Sequence, residues 1–174
     1  QLSAKESTAN VQSIMTGFGD VLSTTFLPGY LEPTLVVLHS NPAVGRACSG
    51  RLGRTEGGTR FGLQLTAITV TVSHERSAIL WSTAVPADAL EVYPAGAQGC
   101  LVHCANAMVA ISNTGQVQQC LAVNGWVEAT LPLSIQATAN PWPFPKLSIA
   151  LDGAVVSFLN DTTAFCILRC GQVY

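Results

Sequence analysis

The sequence predicts an all-β sandwich or barrel, and three observations predict it. Charged residues make up only 10% of the 174-residue chain, against roughly 25% in an ordinary soluble domain. Apolar residues recur with a period of two, the spacing that places alternate side chains on one face of a strand. About ten such runs follow one another at intervals of about 8–12 residues, broken by Gly, Pro, Asn and Ser.

Taken in chain order, residues 4–15 allow one short helix, with Ser3 as N-cap and Val11, Ile14 and Met15 as its apolar positions. Strands are expected over 20–27 and 33–39. Residues 40–60 form an irregular region with five glycines and four arginines. The next strand runs from Phe61 to Val72. Its apolar phase passes from Phe61, Leu63 and Leu65 to Ile68, Val70 and Val72, which predicts a β-bulge near Thr66 and Ala67. Further strands are expected over 77–84, 89–93, 101–111 and 117–123. Val127, Ala129, Leu131, Leu133, Ile135 and Ala137 alternate strictly with polar residues and Pro132, so a half-buried strand is expected there. Pro132 lacks a donor and places that strand at an edge or an interruption. The proline-broken loop 138–145 ends it. Strands over 146–151, 154–159 and 163–169 close the chain, with a hairpin signal at Asp152-Gly153.

Composition excludes several functions. Hydrophobic residues at 48% and a net charge of −2 are wrong for a disordered chain. Two lysines are too few for a helical bundle or coiled coil. A pI of about 5.8 disfavours a freestanding basic nucleic-acid module. The 36 residues from Val92 to Val127 contain no Asp, Glu, Lys or Arg, but they hold too many Asn, Gln and Ser for a membrane span. Their outward phase carries Ser, Asn, Gln and Ala where a free monomer carries charge, so an obligate assembly is expected. The chain starts at Gln1 with a polar run, no signal-type apolar stretch and no initiator Met, so it is expected to be either trimmed or cut from a precursor.

Chemistry-bearing motifs are sparse. Cys100/Cys104 and Cys166/Cys170 share a C-x₃-C spacing, wider than the C-x₂-C of common zinc sites. Alternation points His103 away from Val102 and Cys104. Buried free thiols are the plainest reading of the six cysteines, with disulfides the alternative. Cys48 sits in a Gly- and Arg-rich loop that can lower a thiol pKa, near His39 and His74, but no nucleophile pattern surrounds it. There is no G-x-S-x-G elbow and no P-loop. No catalytic residue, metal or cofactor is therefore expected. Arg46, Arg51, Arg54 and Arg60, less Glu56, give +3 over fifteen residues. That loop either touches phosphate or a partner's carboxylates, or is simply solvated. Trp142 and Phe144, set between prolines, read as an apolar plug or interface anchor ahead of a sugar platform.

At this point the sequence resembles a known family. Asn124-Gly125-Trp126-Val127-Glu128-Ala129-Thr130-Leu131-Pro132-Leu133 looks like a long strand ending in a proline turn. Asn140-Pro141-Trp142-Pro143-Phe144-Pro145 follows as a proline- and aromatic-rich loop. Val155 to Arg169 supplies two closing strands with an acidic residue, an aromatic and an apolar-x-Arg ending. This order resembles the end of a jelly-roll coat protein of picorna-like plant viruses, the secovirus family with its cheravirus-type small subunits. Trp81-Ser82-Thr83-Ala84-Val85-Pro86 looks like the strand-to-loop exit of such proteins. The resemblance implies an eight-stranded antiparallel jelly roll over 20–174, preceded by an N-terminal arm over 1–19. It implies a non-enzymatic coat subunit that assembles with sister subunits into an icosahedral shell, in the virion and in the host cytoplasm during assembly, with no membrane partner. Trp142, Phe144, Pro132 and Trp126 are the expected interface residues. Arg46, Arg51, Arg54 and Arg60 are expected to contact a neighbour or RNA, the RNA only weakly because no basic arm is present. The rival expectation is a secreted β-sandwich binding module with its cysteines paired and Asn160 glycosylated.

Overall fold

The computed structural model describes residues 17–41, 62–70, 77–129, 131–132, 135, 139–141, 149–160 and 163–174. The short helix expected over 4–15, Cys48, the arginine loop and residues 142–148 lie outside them. The fold is all-β with antiparallel sheets, as the period-two pattern requires. Eleven strands form three sheets among the described residues.

The first sheet contains β1 (Val21–Leu27), β2 (Thr34–Ser40), β3 (Leu63–Thr69) and β4 (Ile79–Ala84), in that order. Val36 pairs with Ala67 and Leu38 with Leu65, so these side chains share one face. The opposite face of β2 and β3 carries Val37, His39, Thr66 and Ile68, which are buried as well. There His39 Nε2 and Thr66 Oγ1 lie 2.9 Å apart, Thr66 Oγ1 and Ser82 Oγ 2.9 Å apart, and Phe18 stacks on the imidazole. The expected bulge falls beside Ala67 and Ile68, but the extra residue is Leu80 on β4.

The second sheet contains β5 (Ala89–Pro94), β6 (Cys100–Cys104), β7 (Ala107–Ile111), β8 (Val117–Ala122) and β9 (Ala139–Pro141). β5 to β8 run up and down; β9 pairs parallel to β8. The single strand expected over 101–111 is therefore two. Its turn at Ala105-Asn106 lacks Gly and Pro, and a carboxylate from elsewhere holds it. Asp88 Oδ2 accepts from the Asn106 amide N at 2.9 Å and from its side-chain Nδ2 at 2.7 Å. Just before β6, Gly99 has φ +128, and a Cβ there would lie 2.0 Å from the Ile111 carbonyl oxygen. Only glycine fits that approach.

The third sheet is the hairpin β10 (Val155–Asn160) and β11 (Thr163–Ile167), extended by a single bridge from Ile167 to Val173. Asp152-Gly153 makes a turn, with the Ala154 amide donating to the Leu151 carbonyl at 2.9 Å, but not the expected hairpin, because residues 149–151 are not a strand. Leu151 instead donates to the Ala105 carbonyl at 2.8 Å, tying this segment to the second sheet.

The half-buried strand expected over 127–137 is corrected at its described residues, 127–129, 131–132 and 135; the rest of it lies outside them. Gly125–Ala129 is a 3₁₀ turn, and the Leu131 amide donates to the Val127 carbonyl at 3.0 Å. Val127, Leu131 and Ile135 are buried. Their spacing of four is a helical repeat that also satisfies a period of two, so alternation alone could not separate the two. Pro132 is half-buried here, and its carbonyl accepts from the Ile135 amide at 2.9 Å.

Two apolar seams hold the sheets together. One face of the first sheet packs through Val36, Leu38, Leu63 and Leu65 onto Val102, Val109 and Ile111 of the second. The other face of the second sheet, with Tyr93, Leu101 and Met108, packs onto Val156, Phe158, Cys166 and Leu168. The strand order within each sheet is an up-and-down meander in the first sheet and over β5–β8. The described pairings do not trace the Greek-key crossings of an eight-stranded jelly roll.

Candidate interaction surfaces

His103 sits on the second seam, as its phase in β6 dictates. It is buried, and its Nε2–H donates to the Leu151 carbonyl at 3.0 Å. That bond makes Nδ1 an acceptor, and Nδ1 has no partner. Burial pushes the pKa of His103 below its ordinary 6.5, opposed by the Leu151 bond and by Glu91, Asp152 and Asp88. Burial likewise lowers His39. The Tyr93 hydroxyl donates to Glu91, and burial together with that carboxylate pushes the phenol up to about 12.

The cysteines divide by burial. Cys100, Cys104, Cys120 and Cys166 are buried free thiols, and Cys170 is exposed. Burial raises Cys100 to about 12, Cys120 to about 11 and Cys104 well above its ordinary value. A thiol held so far up supplies almost no thiolate at neutral pH, so these groups pack rather than react. Among the described residues no group of three or more His, Cys, Asp or Glu is placed to hold a metal ion.

Large exposed apolar side chains mark two surfaces. A groove of about 580 Å³ is lined by Phe26, Leu27 and Pro28, by Pro94 and Gly96, and by Phe158 to Asn160. These are the last residues of β1, β5 and β10 or follow them closely, so the first strands of all three sheets converge there. The Val92 amide donating to Ser23 Oγ at 3.2 Å joins β5 to β1 along the same line. The second surface is the outward face of the third sheet. Val155, Phe165, Ile167 and Val173 are 42–61% exposed on it, and Leu159, at the register shift near the end of β10, is 65% exposed between this face and the groove it lines. Among the described residues none of them has a counterpart packed over it in the way that Tyr93 and Leu101 cover the inward face.

Of the residues singled out in the sequence, Trp126 stands on the 3₁₀ turn at 75% exposure, and Pro132 is half-buried nearby in sequence. Trp142, Phe144, Arg46, Arg51, Arg54 and Arg60 lie outside the described residues. Sequence reasoning missed the third-sheet face. Its signal was the unbroken apolar run Val155-Val156, with Phe158-Leu159, which makes both faces of β10 apolar.

No protein-family profile matches the chain. Over 159 residues it is 31% identical to cleavage and polyadenylation specificity factor subunit 1 of Drosophila melanogaster. The matched stretch is 89% of this chain and 10% of that relative, so the chain spans about a tenth of the length of the curated protein it matches.

Proposed function

We propose that the chain is a non-catalytic stretch of a larger stacked-sheet scaffold, serving as part of a subunit in an assembly for cleavage and polyadenylation. The observation that carries this reading is the second sheet, covered on one face by the first sheet and on the other by the third. Consecutive up-and-down sheets whose first strands converge are arranged as in the blades of a β-propeller. A rigid stack of that kind displays loops and edges to partner proteins without chemistry of its own. The similarity to the Drosophila subunit supplies the assembly. Depletion of a cell extract with an antibody against this chain tests the reading. Cleavage and polyadenylation of a reporter transcript should fall severalfold and recover when the purified protein is returned. Unchanged processing would overturn it.

The coat-subunit reading is the second, and one observation favours it: Trp126, an expected interface anchor, is largely exposed. Co-expression with the neighbouring polyprotein segments tests it. Nuclease-resistant particles would support it, whereas a stable 18.2 kDa monomer throughout would count against it.

A further inference from the structure

We infer that the outward face of the third sheet is the seat of a fourth sheet, an uncharged apolar sheet face supplied by the same polypeptide outside these 174 residues. This inference rests on the stacked-scaffold reading and names the surface on which the stack grows.

The register builds the face. Val155 pairs with Ile167, and Ile167 bridges to Val173, so three β-branched side chains form one row across three strand positions. Ser157 pairs with Phe165 in the next row; beyond it the register shifts between Phe158 and Asn160, and Leu159, 65% exposed, sits at that shift. Nothing charged stands among these six residues. Cross-strand rows of this kind are the unit by which sheets bind one another. The inward face of the same hairpin shows the occupied case, with Val156, Phe158 and Cys166 packed on Tyr93, Leu101 and Met108.

Size decides between occupants. At about 3.4 Å per residue and about 4.8 Å per strand, the patch measures roughly 17 by 14 Å, or about 240 Å². Both partners together would bury about 500 Å², half of the roughly 1,000 Å² that a specific interface between separate proteins needs. A second copy or a free partner therefore gains too little from this face. A covalently continuous sheet does not face that threshold, because a short linker holds it at millimolar effective concentration. Among the described residues the third sheet has two strands and a bridge where the others have at least four.

Maleimide labelling tests this. Val155→Cys and Ile167→Cys are each placed in a Cys48→Ser/Cys170→Ser background. They are compared in the 174-residue chain and in the complete gene product. Labelling should be fast in the 174-residue chain and at least tenfold slower in the complete product. Cys166, buried one residue from Ile167, controls for folding and should react in both proteins far more slowly than either introduced thiol does in the 174-residue chain. If Cys166 reacts early, hydroxyl-radical footprinting of Val155, Leu159 and Phe165 in the unsubstituted proteins gives the same comparison. Equal rates in the two proteins overturn the inference. So does protection in the 174-residue chain that rises with its concentration, which would mean a second copy. Protection of the complete product that appears only on adding another protein also overturns it. The transcript-processing assay can fail while the labelling difference stands, so the two proposals fall separately.

Discussion

The second and third sheets are built from equally charge-poor sequence and meet solvent very differently. β6 and β7 are covered on both faces by the chain's own sheets, while β10 and β11 are covered on one. The 36-residue uncharged stretch Val92–Val127 contains the end of β5 and all of β6 to β8. Its outward phase at Leu101, His103 and Met108 meets the third sheet. A lack of charge there records burial within the chain. Val155, Phe165 and Ile167 show the same lack, yet they stay 42–61% exposed, with nothing packed over them among the described residues.

The sharpest break of this comparison is at glycine. Gly99→Ala should cost about 3–4 kcal/mol, since it combines a strained φ with a backbone clash against β7. Gly171→Ala, at φ +86 with open space around it, should cost about 1 kcal/mol. Urea unfolding of both variants measures the difference, and similar costs would mean the β6–β7 approach is looser than the structure has it. One step smaller is a matched pair of isoleucines. Ile111→Ala should lose about 3 kcal/mol and Ile167→Ala less than about 1 kcal/mol in the isolated chain.

The seam between the two sheets should respond to pH. His103 has a folded pKa below its unfolded 6.5, so the unfolded chain binds the proton more readily. The stability tied to neutral His103 is therefore present above pH 6.5 and lost as pH falls below it. His39 acts in the same direction in the first sheet. His103→Gln should flatten the fall in urea midpoint between pH 7.5 and pH 5.5 without abolishing it. An unaltered slope would place the titration elsewhere.

The gentlest test needs no substitution. In the native protein at pH 8, Cys170 should react with a thiol reagent at once. Cys166, on the two-stranded sheet, should follow through local opening. Cys100 and Cys104 should wait for global unfolding. Simultaneous reaction of Cys166 and Cys100 would show that the second and third sheets open as one unit.

Much of the fold was legible because strand burial leaves a local trace. β1, β2, β3, β4, β5, β8, β10 and β11 each fall within about two residues of an apolar run with turn residues at its ends. The misreadings came from distant or ambiguous causes. The β6–β7 turn is held by Asp88, a residue that no local rule connects with Asn106. The segment after Trp126 hides a repeat of four inside a repeat of two. The candidate surface was legible in β10 as a strand apolar on both faces, but nothing local says which of those faces the chain leaves open. The arginine loop and the Trp142-Phe144 loop were read from composition, and they fall outside the described residues.

One feature of the second sheet bears on the order of events during synthesis. β1 to β4 pair in sequence, each with the strand just before it, so the first sheet can zip as the chain emerges. β9 joins β8 in parallel only after residues 123–138 have crossed over. Until Pro141 leaves the ribosome, the backbone edge of β8 is unsatisfied, with Val117 to Ala122 carrying no charge to guard it. That interval is when a nascent chain of this protein is most exposed to pairing with the wrong strand, and a pause or a chaperone would matter most there.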